Sequence, residues 1–401
     1  MASILTNNGA ITALQTLRTI NQNLATTQSE VATGKRVANA KDNAAFFAIS
    51  SVMQSDVNGF KAISDTLALG DATVGVARSG AETVTGLLND LKGRIVAAQE
   101  SNVDRSKIQA DVAELANQTT ATVDASQFNG LNFLKNAPGN PTISILGSLN
   151  RSAAGVTTSN INVDRSTLEL ASTVGAATTQ TATAGVPDAL TGAAVGVIGA
   201  PNTYSVGDVV AVSITNSAGE GSIIQTEITA ADLLLADATA LGGAIAGRLD
   251  TAAAAALPAG SGAVTFTNTA GTITANVAAG AAGDPVTTIK AAQGGGLTAL
   301  SLVDVGTAEG AKAALSAIEG LIQTSVNAAA SFGSAQKRIE NQSNFINKVS
   351  DSLTSGIGAL VDADLEAASA RLQALQVQQQ LGVQALSIAN QQPQSILSLF
   401  R

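Results

Sequence analysis

From Phe60 onward, steps of three and four residues in alternation land on Phe60, Ile63, Leu67, Gly70, Val74, Ala77, Ala81, Val84, Leu88, Leu91, Ile95 and Ala98, all apolar or glycine. A repeat of 3.5 residues holds one helix face against a partner, so this spacing predicts a coiled-coil seam rather than the wider stripe of a globular helix. At 1.5 Å per residue the seam alone is about 57 Å long. A second seam runs through Ala311, Leu315, Ile318, Ile322, Ser325, Ala329, Phe332, Gln336, Ile339, Ser343, Ile346, Ser350, Leu353, Ile357 and Leu360, apolar at eleven of fifteen positions. Two such seams most simply bury each other as antiparallel partners in one chain, with the sequence between them inserted as a separate module. The candidates for long-helix packing are Phe60, Ile63, Leu67, Leu88, Leu91, Ile318, Ile322, Phe332, Ile339 and Ile346.

Proline agrees with this division. None precedes Pro138, and only Pro393 follows Pro285, so both flanks are free of a residue that helix interiors exclude. Charge divides along similar lines. Lys and Arg against Asp and Glu number 11 and 12 up to Lys135, 4 and 11 from Asn136 to Gly306, and 6 and 7 thereafter, which puts −7 of the net −9 in the middle. An acidic middle between near-neutral flanks suits a module facing water beside helices facing protein.

The extreme ends are apolar in heptad spacing but almost uncharged. Ala10, Leu14, Leu17, Asn21, Leu24, Gln28 and Val31 step four and three, with Arg18 the one charged side chain before Glu30; Arg371 and Arg401 are the only charges after Glu366. Exposed helices normally interleave charges on their outer face. These ends are therefore expected to be buried when the protein works, with their Asn and Gln side chains bonding between helices.

The middle reads as strands around one helix. Val206–Thr215 and Ser222–Thr229 form one expected hairpin, Val264–Thr267 and Thr272–Val277 another, with Ala230–Ala256 helical between them and broken near Gly242 and Gly243. This gives a ββαββ-like module, with irregular connections expected from Asn136 to Pro201. The fold class is α+β, mainly α.

Chemistry is narrowly bounded. With no Cys and no His there is no disulfide, thiolate, zinc finger or imidazole base. An acidic chain without a basic cluster is a poor partner for nucleic acid or an anionic membrane. Mean hydropathy is +0.25, yet no apolar run approaches the roughly 18 residues of a bilayer span. Met1 to Asn8 has neither a basic nor an apolar leader region, which predicts no signal peptide of the usual kind. Ala32 to Arg36 lacks the spacing of a phosphate loop. Gly34 reads instead as a helix C-terminus, with Asn39 or Asp42 capping the next helix. Asp362, Asp364 and Glu366 read as an N-terminal cap rather than a cation site, Gly243 and Gly247 as close helix packing, and Asn129–Gly130 as a tight turn. No catalytic residue, metal or cofactor is expected.

Several of these segments together resemble bacterial flagellin. The residues are Ile4 to Asn8, the run Gly34 to Ala45, the Gln127–Phe128–Asn129–Gly130 turn, Leu360 to Asp364, Ala389 to Gln394, and Ile396 to Phe400. The resemblance covers about 1–135 and 307–401. It implies a subunit exported without a cleaved leader, which self-assembles into the filament used for motility. It also implies five parts: a filament-core helix and linker at 1–40, a long-helix layer at 41–135 with a hairpin near 129, a variable β-rich outer domain at 136–306, the returning long-helix layer at 307–361, and a second filament-core helix at 362–401. Filament-core contacts then fall to Leu14, Leu17, Leu24, Val31, Leu372, Leu375 and Leu386. Implied partners are further copies of the chain, sibling flagellins, junction and cap proteins, an export chaperone and host flagellin receptors. Asn43 and Phe46–Phe47 depart from the commonest pattern toward the alphaproteobacterial branch. With Arg94 and Ile95, the latter standing where an acid is common, Asn43 and Phe46 are the candidate receptor-recognition positions. A hook-filament junction protein and a secreted adhesin or effector with a ligand-binding acidic middle are the alternatives.

Overall fold

The computed structural model describes residues 7–135, 142–152, 155–174, 178–180, 193–197, 204, 206–215, 221–256, 264–277 and 287–398. Helices α1 (Asn8–Thr33), α2 (Ala44–Ala97) and α3 (Arg105–Ala125) lead into a short hairpin, β1 (Gln127–Phe128) and β2 (Leu131–Asn132). Strands β3 (Thr142–Ser152), β4 (Gly155–Asp164), β5 (Ala171–Val174), β6 (Thr178–Gln180), β7 (Ala193–Val197), β8 (Val209–Thr215) and β9 (Gly221–Glu227) precede α4 (Ala238–Ala256). Then come β10 (Val264–Thr269), β11 (Thr272–Val277), β12 (Thr287–Gly294), α5 (Ala308–Val361) and α6 (Leu365–Ser398). The fold is α+β and mainly α. Two units divide it, one holding residues 7–64 and 344–398, the other residues 65–343.

The second unit begins with α2 and α5 side by side. Arg78 Nε donates to Gln336 Oε1 at 2.9 Å, Thr85 Oγ1 to Ser325 Oγ at 2.9 Å, and Lys92 pairs with Glu319 at 2.5 Å. Partner numbers fall as α2 numbers rise, so the helices are antiparallel. Along α2, each seam residue from Ile63 to Ala98 is buried, while Phe60 is half-buried. On α5 the buried line is Ala311, Ala314, Ile318, Leu321, Ser325, Ala328, Phe332, Ala335 and Ile339. The sequence-derived seam shares every seventh residue with this line but falls one position late in between, on Leu315, Ile322, Ala329 and Gln336. The buried residues one place earlier are Ala314, Leu321, Ala328 and Ala335, so side-chain size does not mark which neighbour faces the partner.

Helix α3 and the β1–β2 turn pack on the same body. Asn129 and Gly130 have φ of 50° and 79°, the two left-handed residues that a type I′ hairpin requires. Beyond the turn, Phe133 is buried edge-on against Phe332 with centroids 5.9 Å apart. A Cβ on Gly80 would come within 2.2 Å of Ser126 Oγ and 2.9 Å of Leu134, so α2 is glycine where this crossing is tightest.

Among the described residues between Asn136 and Pro201, strands form where an irregular connection is expected. β3 and β4 pair over ten positions as an antiparallel ribbon. Ile145, Ile161 and Val163 are buried, whereas Ser144 with Asn162 and Thr142 with Asp164 bond across at 2.9 and 2.8 Å. The Ser/Thr content that suggested loop is the polar half of a period-two alternation. Pro187 and Pro201 lie outside the described residues.

The remaining strands form two antiparallel sheets, β5–β12–β8–β9 with β6 also on β12, and β10–β11–β7. Helix α4 fills the core between them: Leu241, Ile245 and Leu249 pack with Val212, Ile224, Phe266 and Ile273. Both expected hairpins form, and the helix starts later than expected, at Ala238. It also continues through Gly242 and Gly243. Gly242 faces Asn268, whose Nδ2 donates to Thr239 O at 2.7 Å, so that glycine serves close approach. Gly247, by contrast, has nothing within 4 Å, so the Gly243–Gly247 spacing carries no tight packing at its second residue.

Candidate functional site

In the first unit α1 and α6 lie antiparallel. Asn7 Nδ2 donates to Ala389 O, and Gln379 Nε2 to Asn21 Oδ1, both at 2.8 Å. Chain ends far apart in sequence are thus held by Asn and Gln. The connection beyond α1 is fixed by main chain: Arg36 N donates to Val361 O at 2.7 Å, and Ala363 N to Gly34 O at 3.0 Å. Gly34 itself has φ of 69° and closes α1 through its N–H to Glu30 O.

Caps follow the same economy, with one change of residue. Asp364 Oδ1 accepts from Glu366 and Ala367 N–H at the start of α6. The cap of α2 is Asn43, whose Oδ1 accepts from Ala45 and Phe46 N–H at 3.1 Å. Asn39 and Asp42 instead brace the preceding turn, through Lys41 N and through Ala38 and Asn39 N respectively. Three adjacent Asx side chains made the position ambiguous in sequence.

The face that α1 and α6 turn to each other carries Ala10, Ala13, Leu17, Ile20, Leu24, Thr27 and Val31 against Ala368, Leu372, Leu375, Gln379, Gly382, Leu386 and Ala389. Six of the seven filament-core candidates lie here: Leu24 and Leu375 buried, Leu17, Val31, Leu372 and Leu386 half-buried. Within one chain they pack the pair together. Leu14 alone stands outside, 39% exposed.

What the outward faces hold is a second apolar line. On α6 it reads Ala370, Ala374, Val377, Leu381 and Ile388, the last three 55%, 58% and 69% exposed; on α1 it includes Ile11 and Leu14. Both lines on α6 repeat every seven residues, the spacing of a coiled-coil seam, and among the described residues only the inward line has a partner. Sequence reading missed the second line because it followed a single heptad register. Val377, Leu381 and Ile388, spaced four and seven, were the available signal.

The outer surface of α1 is prepared for burial in another way. Thr12, Thr16, Thr19, Thr26 and Thr33 each donate their hydroxyl to the carbonyl four residues back, at 2.8 to 3.1 Å. Hydroxyls satisfied inside the helix lose little when water is removed. These five hydroxyls therefore do not oppose a second packing partner.

Elsewhere, Ile63, Leu67, Leu88, Leu91, Ile318, Phe332, Ile339 and Ile346 are buried, while Phe60 and Ile322 are half-buried. Phe46 is 37% exposed on the first turn of α2. Arg94 lies in a groove with Asn89, Asp90, Gly93 and Glu114, its guanidinium 3.6 Å from Asp111. Ile95 is a correction. It is fully buried on the α2 seam and so is closed to any receptor; helix geometry turns it about 100° from Arg94.

Comparison with known proteins identifies this arrangement. The bacterial flagellin N-terminal helical region matches residues 4–138 and the bacterial flagellin C-terminal helical region residues 315–400. Flagellin A and Flagellin B of Rhizobium meliloti are each 36% identical over 424 aligned residues, covering all of both chains. The chain belongs to the bacterial flagellin family. Among solved structures, FliC from Burkholderia pseudomallei superposes with a TM-score of 0.32 at 17% identity, over 67% of this chain and 99% of that one. As a flagellin the chain is a structural subunit of the extracellular flagellar filament and not an enzyme, and it homopolymerises through its terminal helical regions. Full-length relatives named flagellin set aside the junction-protein and adhesin readings.

Proposed function

We propose that the outward line of α6, with Ile11 and Leu14 of α1, is the surface through which one subunit grips the next. The observation that supports this is the second seam itself, Val377, Leu381 and Ile388, standing in water on a helix whose first seam is already occupied. Burying a large aliphatic side chain yields about 1.5–3 kcal/mol. Three of these on each copy outweigh the cost of ordering the few side chains involved. The α1–α6 seam then sets the shape of the subunit end, and the outward seam sets the contact.

Within this reading, 1–40 and 362–401 form the filament core, 41–135 and 307–361 the long-helix layer, and 136–306 an acidic module that faces water. Sibling flagellins, junction and cap proteins and an export chaperone engage the same terminal helices before or during assembly. Host flagellin receptors meet the exposed Arg94 groove and the segment around Asn43 and Phe46.

The test pairs Leu381→Gln with Ile388→Gln in one variant and follows polymerisation by sedimentation after seeding. Assembly should fall by more than tenfold while circular dichroism of the monomer is unchanged. Leu69→Gln, exposed on α2, is the matched control and should polymerise normally. Normal polymerisation of the α6 variant would refute the proposal.

A further inference from the structure

Helix α2 begins bare. From Ala44 to Val52 every residue but Ser50 is exposed, and Phe46, Phe47, Ile49 and Val52 among them stand 37% to 50% open to solvent. No charged side chain occurs between Asp42 and Asp56. A helix end in lasting contact with water carries charges on its outer faces, whereas one that is apolar on several faces is built for burial. Large apolar side chains gathered in one exposed patch mark a contact surface.

The patch continues the packing seam of α2. Stepping back four and three from Phe60 gives Asp56, Met53, Ile49 and Phe46, the register in which Ile63 to Ala98 are buried. Its partner runs out first. Ser64 Oγ donates to Asn347 Oδ1 at 3.1 Å, Met53 Cε lies 3.1 Å from where a Cβ on Gly356 would stand, and α5 ends at Val361. Antiparallel pairing therefore carries Ile49 and Phe46 to the end of α5, and Phe47 and Val52 flank them on the helix. Asn43 caps this end and Ser50 Oγ donates to Phe47 O, so its polar groups are satisfied locally while its apolar ones are not covered.

We propose that Phe46, Phe47, Ile49 and Val52 form a second subunit contact, covered by a neighbouring copy of the chain in the filament. The patch lies inside the N-terminal helical region at 4–138, and the chain homopolymerises through its terminal helical regions. Open filaments are built from heterologous contacts, each joining two different surfaces, so a subunit needs more than one such face. The outward line of α6 supplies one and the start of α2 another. The two contacts are separate, so either is testable without the other.

With no cysteine in the chain, Ile49→Cys offers a single attachment point for a benzophenone maleimide. Labelled subunits, mixed as a minority into parent protein and assembled, should give a covalent dimer on illumination, and the labelled monomer none. Ile388→Cys with the same label reads the α6 contact. Dimers from position 388 alone overturn the α2 contact, and dimers from position 49 alone support it while the α6 reading falls. Independently, Ile49→Gln with Val52→Gln should slow seeded polymerisation by about tenfold or more, with circular dichroism of the monomer unchanged. The proposal is overturned if filaments labelled at position 49 yield no dimer, if Leu234→Cys, exposed in the acidic middle, yields as much, or if the glutamine variant polymerises like the parent.

Discussion

Replacing Ile95 by glutamate separates two roles for one position. At a receptor contact, the acid would add a charge-assisted hydrogen bond and leave the fold untouched. The structure assigns the opposite outcome, because Ile95 is fully buried in the α2 seam. Losing its burial costs about 2 kcal/mol. An unpaired carboxylate in the same space brings the total to about 4 kcal/mol, within the 3–5 kcal/mol typical of an uncompensated buried charge. That is a large share of the roughly 5–15 kcal/mol holding an ordinary domain together. Urea unfolding of the monomer, followed by circular dichroism, measures it directly. Burial raises the folded pKa of the new acid above its unfolded value, so the penalty should shrink as pH falls and the group becomes neutral. Arg94→Ala is the control. Its pairing with Asp111 is more than half exposed on both sides, so the change should stay within about 0.5 kcal/mol. An Ile95→Glu variant as stable as the parent would refute the reasoning.

Three further predictions concern the parts around the seams. Asn43→Ala should destabilise α2 by about 1 kcal/mol and Asn43→Asp should not, as measured by chemical denaturation, since either Asx oxygen caps Ala45 and Phe46. Burial of Asp232 raises its pKa, but the hydrogen bonds from Arg248 and Thr229 outweigh this and hold its carboxyl below its ordinary, unfolded value. Its contribution should be complete above that unfolded value and be lost as pH falls through the folded one, and acid titration of the melting temperature should lose that component in Asp232→Asn. Gly80→Ala should cost about 1–3 kcal/mol in thermal unfolding despite the better helix propensity of alanine, because its Cβ overlaps Ser126 and Leu134.

Heptad spacing made the two long helices legible, since a seam of that length has few other solutions. It settled one core position in each heptad and lost the other on α5, where Ala314, Leu321, Ala328 and Ala335, one place earlier than the expected residues, face the partner. Tight turns and caps were readable wherever one residue type carries the geometry, as at Asn129–Gly130, Gly34 and Asp364. They were not readable at 39–43, where three Asx residues compete for related roles. The β3–β4 ribbon hid in a Ser/Thr-rich stretch because its alternation is polar on one face. On α1 the expected seam caught Ala10, Leu17, Leu24 and Val31 but fell one place late at Leu14, Asn21 and Gln28, which are exposed, and the outward line of α6 was overlooked, since charge depletion marks both faces alike.

The central claim is that Val377, Leu381 and Ile388 are the unoccupied seam that subunit contact fills. A reconstruction of the assembled filament, at a resolution that shows side chains, tests it most directly. All three should lose their exposure against a neighbouring copy, while Leu234 of the acidic middle, 87% exposed in the single chain, stays in water. Finding the outward line of α6 still open to solvent in the filament would contradict the account.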